Sequence, residues 1–375
     1  MENNMICKIK YIFLLLLTLV VPLSGCAVKS SEQYISKMSL SDKIYQMMMV
    51  TPESLTGVGQ AVAAGDATKE ALKKMPVGGI IYFAQNFTSR EQTIEMINNT
   101  QKFSKIPLFI AVDEEGGEVS RLGGNADMGV THFPPMREVA DGENALVTVS
   151  EIGGVLGREL KELGFNVDFA PVADVLVDVN NTEIGNRSFG TEPQAVAALV
   201  STFTSYMENE GVSSVLKHFP GHGSTVSDSH KGYSQSVRTL EELRCTEFVP
   251  FKAGIDAGAD FVLVSHMSLP RITDDTVPAS LSDYVITNLL RGELGYEGIV
   301  ITDALNMGAI TEEFSCGEAA VAAIKAGVDI LLMPQDIQAA HDAVLNAVLS
   351  GEISESRIDE SIGRIISVKK DKNLF

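Results

Sequence analysis

A (β/α)8 barrel of the TIM type, folded as a single α/β domain, is the architecture this sequence predicts, and three observations predict it. Eight short apolar runs recur along the chain, each ending in a polar or Gly-containing turn. Runs such as Leu108-Phe109-Ile110-Ala111-Val112 and Gly298-Ile299-Val300-Ile301-Thr302 are apolar on both faces. Buried parallel strands read that way, whereas half-exposed antiparallel strands alternate. Helix-like stretches lie between the runs, among them residues 194–209, 238–257 and 315–326. A succession of strand-then-helix units fits the barrel, and a doubly wound open sheet is the other arrangement it could support.

In order, the runs are residues 44–50, 79–83, 108–112, 167–171, 214–217, 261–265, 299–302 and 330–333. The first is ambiguous with a helix, because Gln46 and the Met47-Met48-Met49 triplet sit inside it. A Gly-rich stretch within residues 51–74 has no assigned place. Active groups of such barrels stand just after the C-terminal ends of strands, and the polar residues here obey that demand. Asp113 follows the third run, Arg187 lies in a long loop after the fourth, and Lys217 and His218 end the fifth. His266 follows the sixth run and Asp303 the seventh.

The N-terminus carries Lys8 and Lys10, an apolar run over residues 11–23, and then Leu23-Ser24-Gly25-Cys26. This pattern is a secretory signal with a small-residue cleavage site, expected to span residues 1–25. Its end matches the bacterial lipoprotein signal, in which Cys26 becomes the lipidated first residue of the mature chain. Residues 26–36 would form the lipidated Cys and a short tether, and residues 37–375 the barrel domain. More than one acyl chain on Cys26 holds a protein on a membrane surface without a span, so the expected location is the bacterial cell envelope.

Losing residues 1–25 removes two Lys and one Glu, which takes the formal charge from −20 to −21. A surface that acidic excludes nucleic acid and electrostatic adsorption to anionic lipid, since both need clustered Lys and Arg. Membrane contact would come through the N-terminal lipid only, and the expected state is a monomer. Of the four Cys, Cys7 leaves with the signal and Cys26 is lipidated. Cys245 and Cys316 are too far apart in sequence to suggest a disulfide framework and are expected as buried, unpaired thiols.

Residues 217–230, Lys-His-Phe-Pro-Gly-His-Gly-Ser-Thr-Val-Ser-Asp-Ser-His, gather three of the chain's six His around a Pro-Gly break. His218 and His222 have the spacing of a zinc helix, but Pro220 between them argues against a helix and hence against a metal site. His222 is expected as a packed, hydrogen-bonded residue. In Asp228-Ser229-His230 the carboxylate can orient the imidazole and raise its proton affinity, which makes His230 a competent acid and base near neutral pH. Asp303 by itself could be a helix N-cap. Facing an Asp-His pair at a barrel mouth, it becomes a candidate carboxylate nucleophile for glycosyl transfer. Asp113-Glu114-Glu115-Gly116-Gly117-Glu118-Val119-Ser120-Arg121 reads either as a solvated charge run or as a tight turn that aims Asp113 and Arg121 into one pocket to bind sugar hydroxyls.

Together these strings resemble the β-N-acetylglucosaminidase branch of family 3 glycoside hydrolases over nearly the whole mature chain. The Lys-His-Phe-Pro-Gly-His-Gly-x4-Asp-Ser-His string is the most specific. Asp-x-Glu-Gly-Gly-x-Val-x-Arg at 113–121, Asn186-Arg187-Ser188-Phe189-Gly190 and Thr-Asp-Ala-Leu-x-Met at 302–307 stand in the family's order. The resemblance implies a (β/α)8 barrel that retains anomeric configuration through a covalent glycosyl-enzyme on Asp303, with His230, held by Asp228, as acid and then base. It implies that Asp113, Arg121, Arg187, Lys217 and His218 grip a terminal N-acetylglucosamine (GlcNAc) of a glycan or muropeptide. No metal or organic cofactor is called for. Phosphorolysis is the alternative reaction, since an imidazole acid avoids a carboxylate beside an anionic acceptor, and a non-catalytic muropeptide-binding lipoprotein is the alternative of another class. The chain departs from the family's pattern in lacking a Pro soon after His230 and in having Asn306 where many members have Ser.

Overall fold

The computed structural model describes residues 35–227 and 234–375. Eight parallel strands close on themselves: β1 (Met48–Val50), β2 (Gly79–Ile81), β3 (Phe109–Val112), β4 (Val167–Asp168), β5 (Ser213–Phe219), β6 (Phe261–Val264), β7 (Ile299–Thr302) and β8 (Leu331–Leu332). Neighbours follow chain order from β1 to β7, β8 pairs with β1, and the Ile301–Ile330 bridge joins the last seam. Met49 stands opposite Gly79, and Val112 opposite Asp168. A closed parallel sheet is buried on both faces, one against the barrel interior and one against the helices, which is why the runs lack alternation.

Each strand is followed by a helix: α1 (Asp66–Lys74), α2 (Arg90–Phe103), α3 (Ala145–Leu163), α4 (Pro193–Glu210), α5 (Phe248–Asp256), α6 (Tyr284–Glu293), α7 (Cys316–Ala326) and α8 (Ile337–Leu349). A final helix, α9 (Glu355–Asp371), ends the chain. Apolar residues recur every three or four positions along α3, where Val149, Ile152, Leu156, Leu160 and Leu163 are buried, the stripe of a helix lying on a sheet. Inside the barrel, Phe109 of β3 meets Phe261 of β6 edge-on with centroids 5.1 Å apart, a contact that crosses the interior.

Three expectations are corrected here. The first run divides, because its opening residues belong to the helix Leu40–Gln46, capped by Ser39, and only Met48–Val50 is strand. Residues 238–257 form two helices, Leu240–Cys245 and α5; Thr239 and Glu242 make a capping box that starts the shorter one. Cys245 is exposed and Cys316 half-buried, so the free thiols are not core residues.

The N-terminal end of the barrel is sealed by paired charges. Asp329 accepts from Arg291 Nη2 at 2.6 Å, Ser361 Oγ at 2.6 Å, Arg364 Nη1 at 3.0 Å and the Val300 backbone at 2.9 Å. Glu208 accepts from the Ser214 amide at 2.8 Å and pairs with Lys372, which also reaches Asp260 at 2.9 Å. Lys369 of α9 is fully buried, donates to Gln46 Oε1 at 2.8 Å and lies 4.8 Å from the Phe109 ring centroid.

Candidate active site

At the opposite end, where the strands finish, Asp113, Arg121, Arg187, Lys217, His218 and Asp303 line a single cavity of about 360 Å³. The sequence named all six, and they come from the loops after β3 and β4, the end of β5 and the end of β7. Ile81, Phe83, Phe169, Leu263, Leu332 and Met333 form the apolar part of the wall. Asp228, His230 and Cys26 lie outside the described residues.

The charge run after β3 is not solvated. Glu114 and Glu115 are buried, and the hairpin Glu114–Gly116 with Val119–Ser120 aims them inward. Glu114 accepts from the Leu122 amide at 2.7 Å and from Ser120, fixing the turn. Arg187 grips Glu115 in a two-pronged pair, with Nε and Nη2 each 2.8 Å from a carboxylate oxygen. Lys217 Nζ lies 2.5 Å from Glu115 Oε1 and 2.8 Å from Asp113 Oδ1. Burial opposes the charge on Glu115, but Lys217 and Arg187 outweigh it and hold the carboxyl down at about 2. The same pairing raises Lys217 above its ordinary range despite burial. Arg121 lines the cavity and approaches Asp113 Oδ2 at 3.8 Å, and its buried Nε has no hydrogen-bond partner among the described residues.

Glu115 and Asp174 carry as much of this site as the predicted residues, and the sequence reading missed both roles. Asp174 is fully buried after β4. It accepts from His218 Nδ1 at 2.7 Å and from the backbone amides of His218 at 3.1 Å and His222 at 2.6 Å. Burial would raise its pKa, and these imidazoles and amides lower it. Its position three residues beyond the fourth run was the signal that could have found it. Arg187 Nη2 stands 3.4 Å from His218 Nε2. A guanidinium can only donate, so His218 carries its proton on Nδ1 toward Asp174 and accepts on Nε2.

His222 is half-buried, with Nδ1 3.1 Å from Thr225 Oγ1, and burial followed by His218 lowers its pKa. Gly223 beside it touches the loop after β4 so closely that a Cβ would stand 1.9 Å from the Val175 carbonyl oxygen. The His-rich loop therefore rests directly on backbone. Beneath the cavity, Asp168 accepts from the Glu114 amide at 2.9 Å, while its other oxygen has no hydrogen-bond partner among the described residues; burial raises its pKa well above the ordinary range.

Asp303 closes the site. Its amide donates to the Val264 carbonyl at 2.8 Å, and its Oδ1 accepts from the Ala304 amide at 2.8 Å. Burial pushes the carboxyl up, but His266, His218, the Ala304 amide and His222 together hold it below the ordinary carboxylate range. His266 is buried, and its Nε2 lies 3.0 Å from the Ala304 carbonyl oxygen, to which it donates, while its Nδ1 is hydrogen-bonded to the Ser280 hydroxyl at 2.7 Å. Burial lowers its pKa, and the Asp303 carboxylate and the Ala304 carbonyl oppose that shift.

Fold and cavity define a (β/α)8-barrel protein with a carboxylate and imidazole site at the C-terminal face of the barrel. The chain belongs to glycosyl hydrolase family 3, whose N terminal domain matches residues 39–368. It is 32% identical over 333 residues to beta-hexosaminidase A of Pseudoalteromonas piscicida, covering 80% of this chain and 54% of that protein. It is 36% identical over 279 residues to a beta-hexosaminidase of Xylella fastidiosa, covering 73% of this chain and 79% of that one. The structure of a glycoside hydrolase family 3 beta-N-acetylglucosaminidase from Paenibacillus superposes with a TM-score of 0.83 at 36% identity, covering 90% of this chain and 63% of that one. The chain thus spans little more than half the length of the first of these relatives.

Proposed function

We propose that the protein is a retaining exo-β-N-acetylglucosaminidase that releases a non-reducing terminal GlcNAc from peptidoglycan fragments or chitooligosaccharides, on the outer side of a bacterial membrane to which Cys26 is lipid-anchored. The observation that carries this reading is Asp303. It is a carboxylate kept ionised at the wall of a sugar-sized cavity, with the Ala304 amide fixing one oxygen. In the first step an Asp303 oxygen bonds to the anomeric carbon as the bond to the aglycone oxygen breaks, and an acid protonates that oxygen. In the second, water loses a proton to the conjugate base and displaces Asp303, which restores the starting configuration.

The acid cannot be Asp113 or Glu115, because both are paired to cations and Glu115 is held at about 2. His218 is occupied by Asp174 and Arg187. We assign the role to His230, with Asp228 as its orienting carboxylate, on the Asp-x-His spacing and the family resemblance. Arg121, Arg187, Lys217, His218 and Asp113 are the groups that would hold the sugar hydroxyls and acetamide. The names of the beta-hexosaminidase relatives support the choice of substrate.

The test is release of the aryl group from a chromogenic β-N-acetylglucosaminide by protein lacking residues 1–26, with the matching β-glucoside and Asp303→Ala as controls. Turnover selective for the N-acetyl substrate and lost in the variant is the expected result. Acceleration by phosphate with formation of sugar 1-phosphate would replace hydrolysis by phosphorolysis. A folded sample inert under both conditions would leave a binding protein.

A further inference from the structure

The two strands of chain that lead into and out of residues 228–233 converge on one buried carboxylate. Glu247, the residue before α5, is fully buried and does not line the cavity that holds Asp303. On the incoming leg, Gly221 lies flat against it: φ is +124°, and a Cβ there would come within 2.4 Å of Glu247 Cγ. On the outgoing leg, Arg238 Nε stands 2.9 Å from Glu247 Oε1. Arg238 is itself fixed, since its Nη2 donates to Thr246 Oγ1 at 2.8 Å and to the Glu242 carbonyl at 3.1 Å. Ser236 joins the legs: its Oγ is 3.0 Å from Ser224 Oγ and accepts from the Arg238 amide at 3.3 Å.

We propose that Glu247 is a positioning residue for the acid/base chemistry assigned to Asp228 and His230, acting through its contacts with Gly221 and Arg238 on the two legs of that stretch of chain. The inference rests on the reading of His230 as acid and base. Every contact of Glu247 described above is to a leg of that loop, so its loss should move the acid and leave the sugar cradle of Lys217, Glu115 and Arg187 in place. Burial pushes the Glu247 carboxyl up to about 7, and the Arg238 guanidinium opposes that rise. Proton transfer requires contact within roughly 3 Å, and a misplacement of about 1 Å can cost on the order of 100-fold.

Glu247→Gln should be compared on two β-N-acetylglucosaminides, one with an activated aryl leaving group and one with a second sugar, in wild-type and His230→Ala backgrounds. The readout is kcat/KM, which reports the first bond cleavage. The expected result is a loss of roughly 10- to 100-fold on the sugar-linked substrate, little change on the aryl substrate, partial recovery in Glu247→Asp, and no further loss when combined with His230→Ala. Arg238→Met loosens the outgoing leg alone and serves if the Glu247 variants fail to fold; it should show the same split. Equal loss on both substrates, or a loss that adds in full to that of His230→Ala, overturns the proposal. Where His230→Ala shows the split and Glu247→Gln and Arg238→Met do not, Glu247 alone is refuted. If His230→Ala itself costs both substrates equally, the acid role of His230 falls and the positioning role falls with it.

Discussion

Both ends of this barrel bury charge, yet the two arrangements differ in what faces the charged groups. At the N-terminal end Asp329 is ringed by Arg291, Arg364, Ser361 and a backbone amide, and Glu208 by Ser214 and Lys372. At the C-terminal end Lys217, Glu115, Arg187 and Asp113 also pair, but all four border an open cavity, which Arg121 lines as well. Burial and perturbed protonation therefore do not by themselves mark function. The distinguishing feature is that the charged groups border a space large enough for a ligand.

The comparison can be broken at either end. The largest effect should come from Asp303→Ala, which is expected to lower kcat/KM by about 10⁴-fold or more on every leaving group while the melting temperature stays within a few degrees; kinetics and calorimetry on one sample check both. Next is Lys217→Met, which removes the cation shared by the buried Glu115 and the half-buried Asp113 and should cost both activity and roughly 3–5 kcal/mol of stability. It is the case where the two ends cease to be distinct. Because Glu115 is depressed to about 2 in the folded protein, its pairing stabilises above the ordinary carboxylate pKa and is lost as pH falls toward 2. Urea melts between pH 5 and 2 should therefore show a flatter acid limb in Glu115→Gln.

Asp329→Ala should lose about 3–5 kcal/mol by leaving arginines uncompensated, with kcat/KM of the folded fraction unchanged within about twofold; a comparable loss of activity would mean that the ends are coupled. The smallest effect is expected from Lys369→Met. Burial lowers Lys369 to about 7 from 10.5, so between those values the unfolded chain binds the extra proton and wild-type stability rises with pH. Thermal melts from pH 7 to 10 should show that rise in wild type and a weaker one in the variant.

Much of this was legible in the sequence, because a closed parallel sheet buries both strand faces and leaves apolar runs that need no alternation. Each of the eight runs contains or abuts a strand. Errors arose where burial is shared by two kinds of element: Ile44, Tyr45 and Gln46 are all buried, but in a helix, and apolar content does not separate that from a strand. Of the six pocket residues, Asp113 and Asp303 were found because they directly follow strands and Lys217 and His218 because they stand near the end of one, while the family's motifs pointed to Arg121 and Arg187. Glu115 escaped because consecutive acids read as solvated, and what buries it is Arg187, 72 positions away, together with Lys217. Asp174 escaped because nothing local announces that two imidazole-bearing residues will fold onto it.

The corrected cysteines have a practical consequence. In protein lacking residues 1–26, Cys245 is an exposed thiol, whereas Cys316 is half-buried and its Sγ is engaged with Asp336. A maleimide at limiting dose should thus mark one position, at the end of the short helix that follows Arg238. That offers a native attachment point for a fluorophore or a surface tether, close in sequence to the loop on which the proposed chemistry depends and needing no engineered residue.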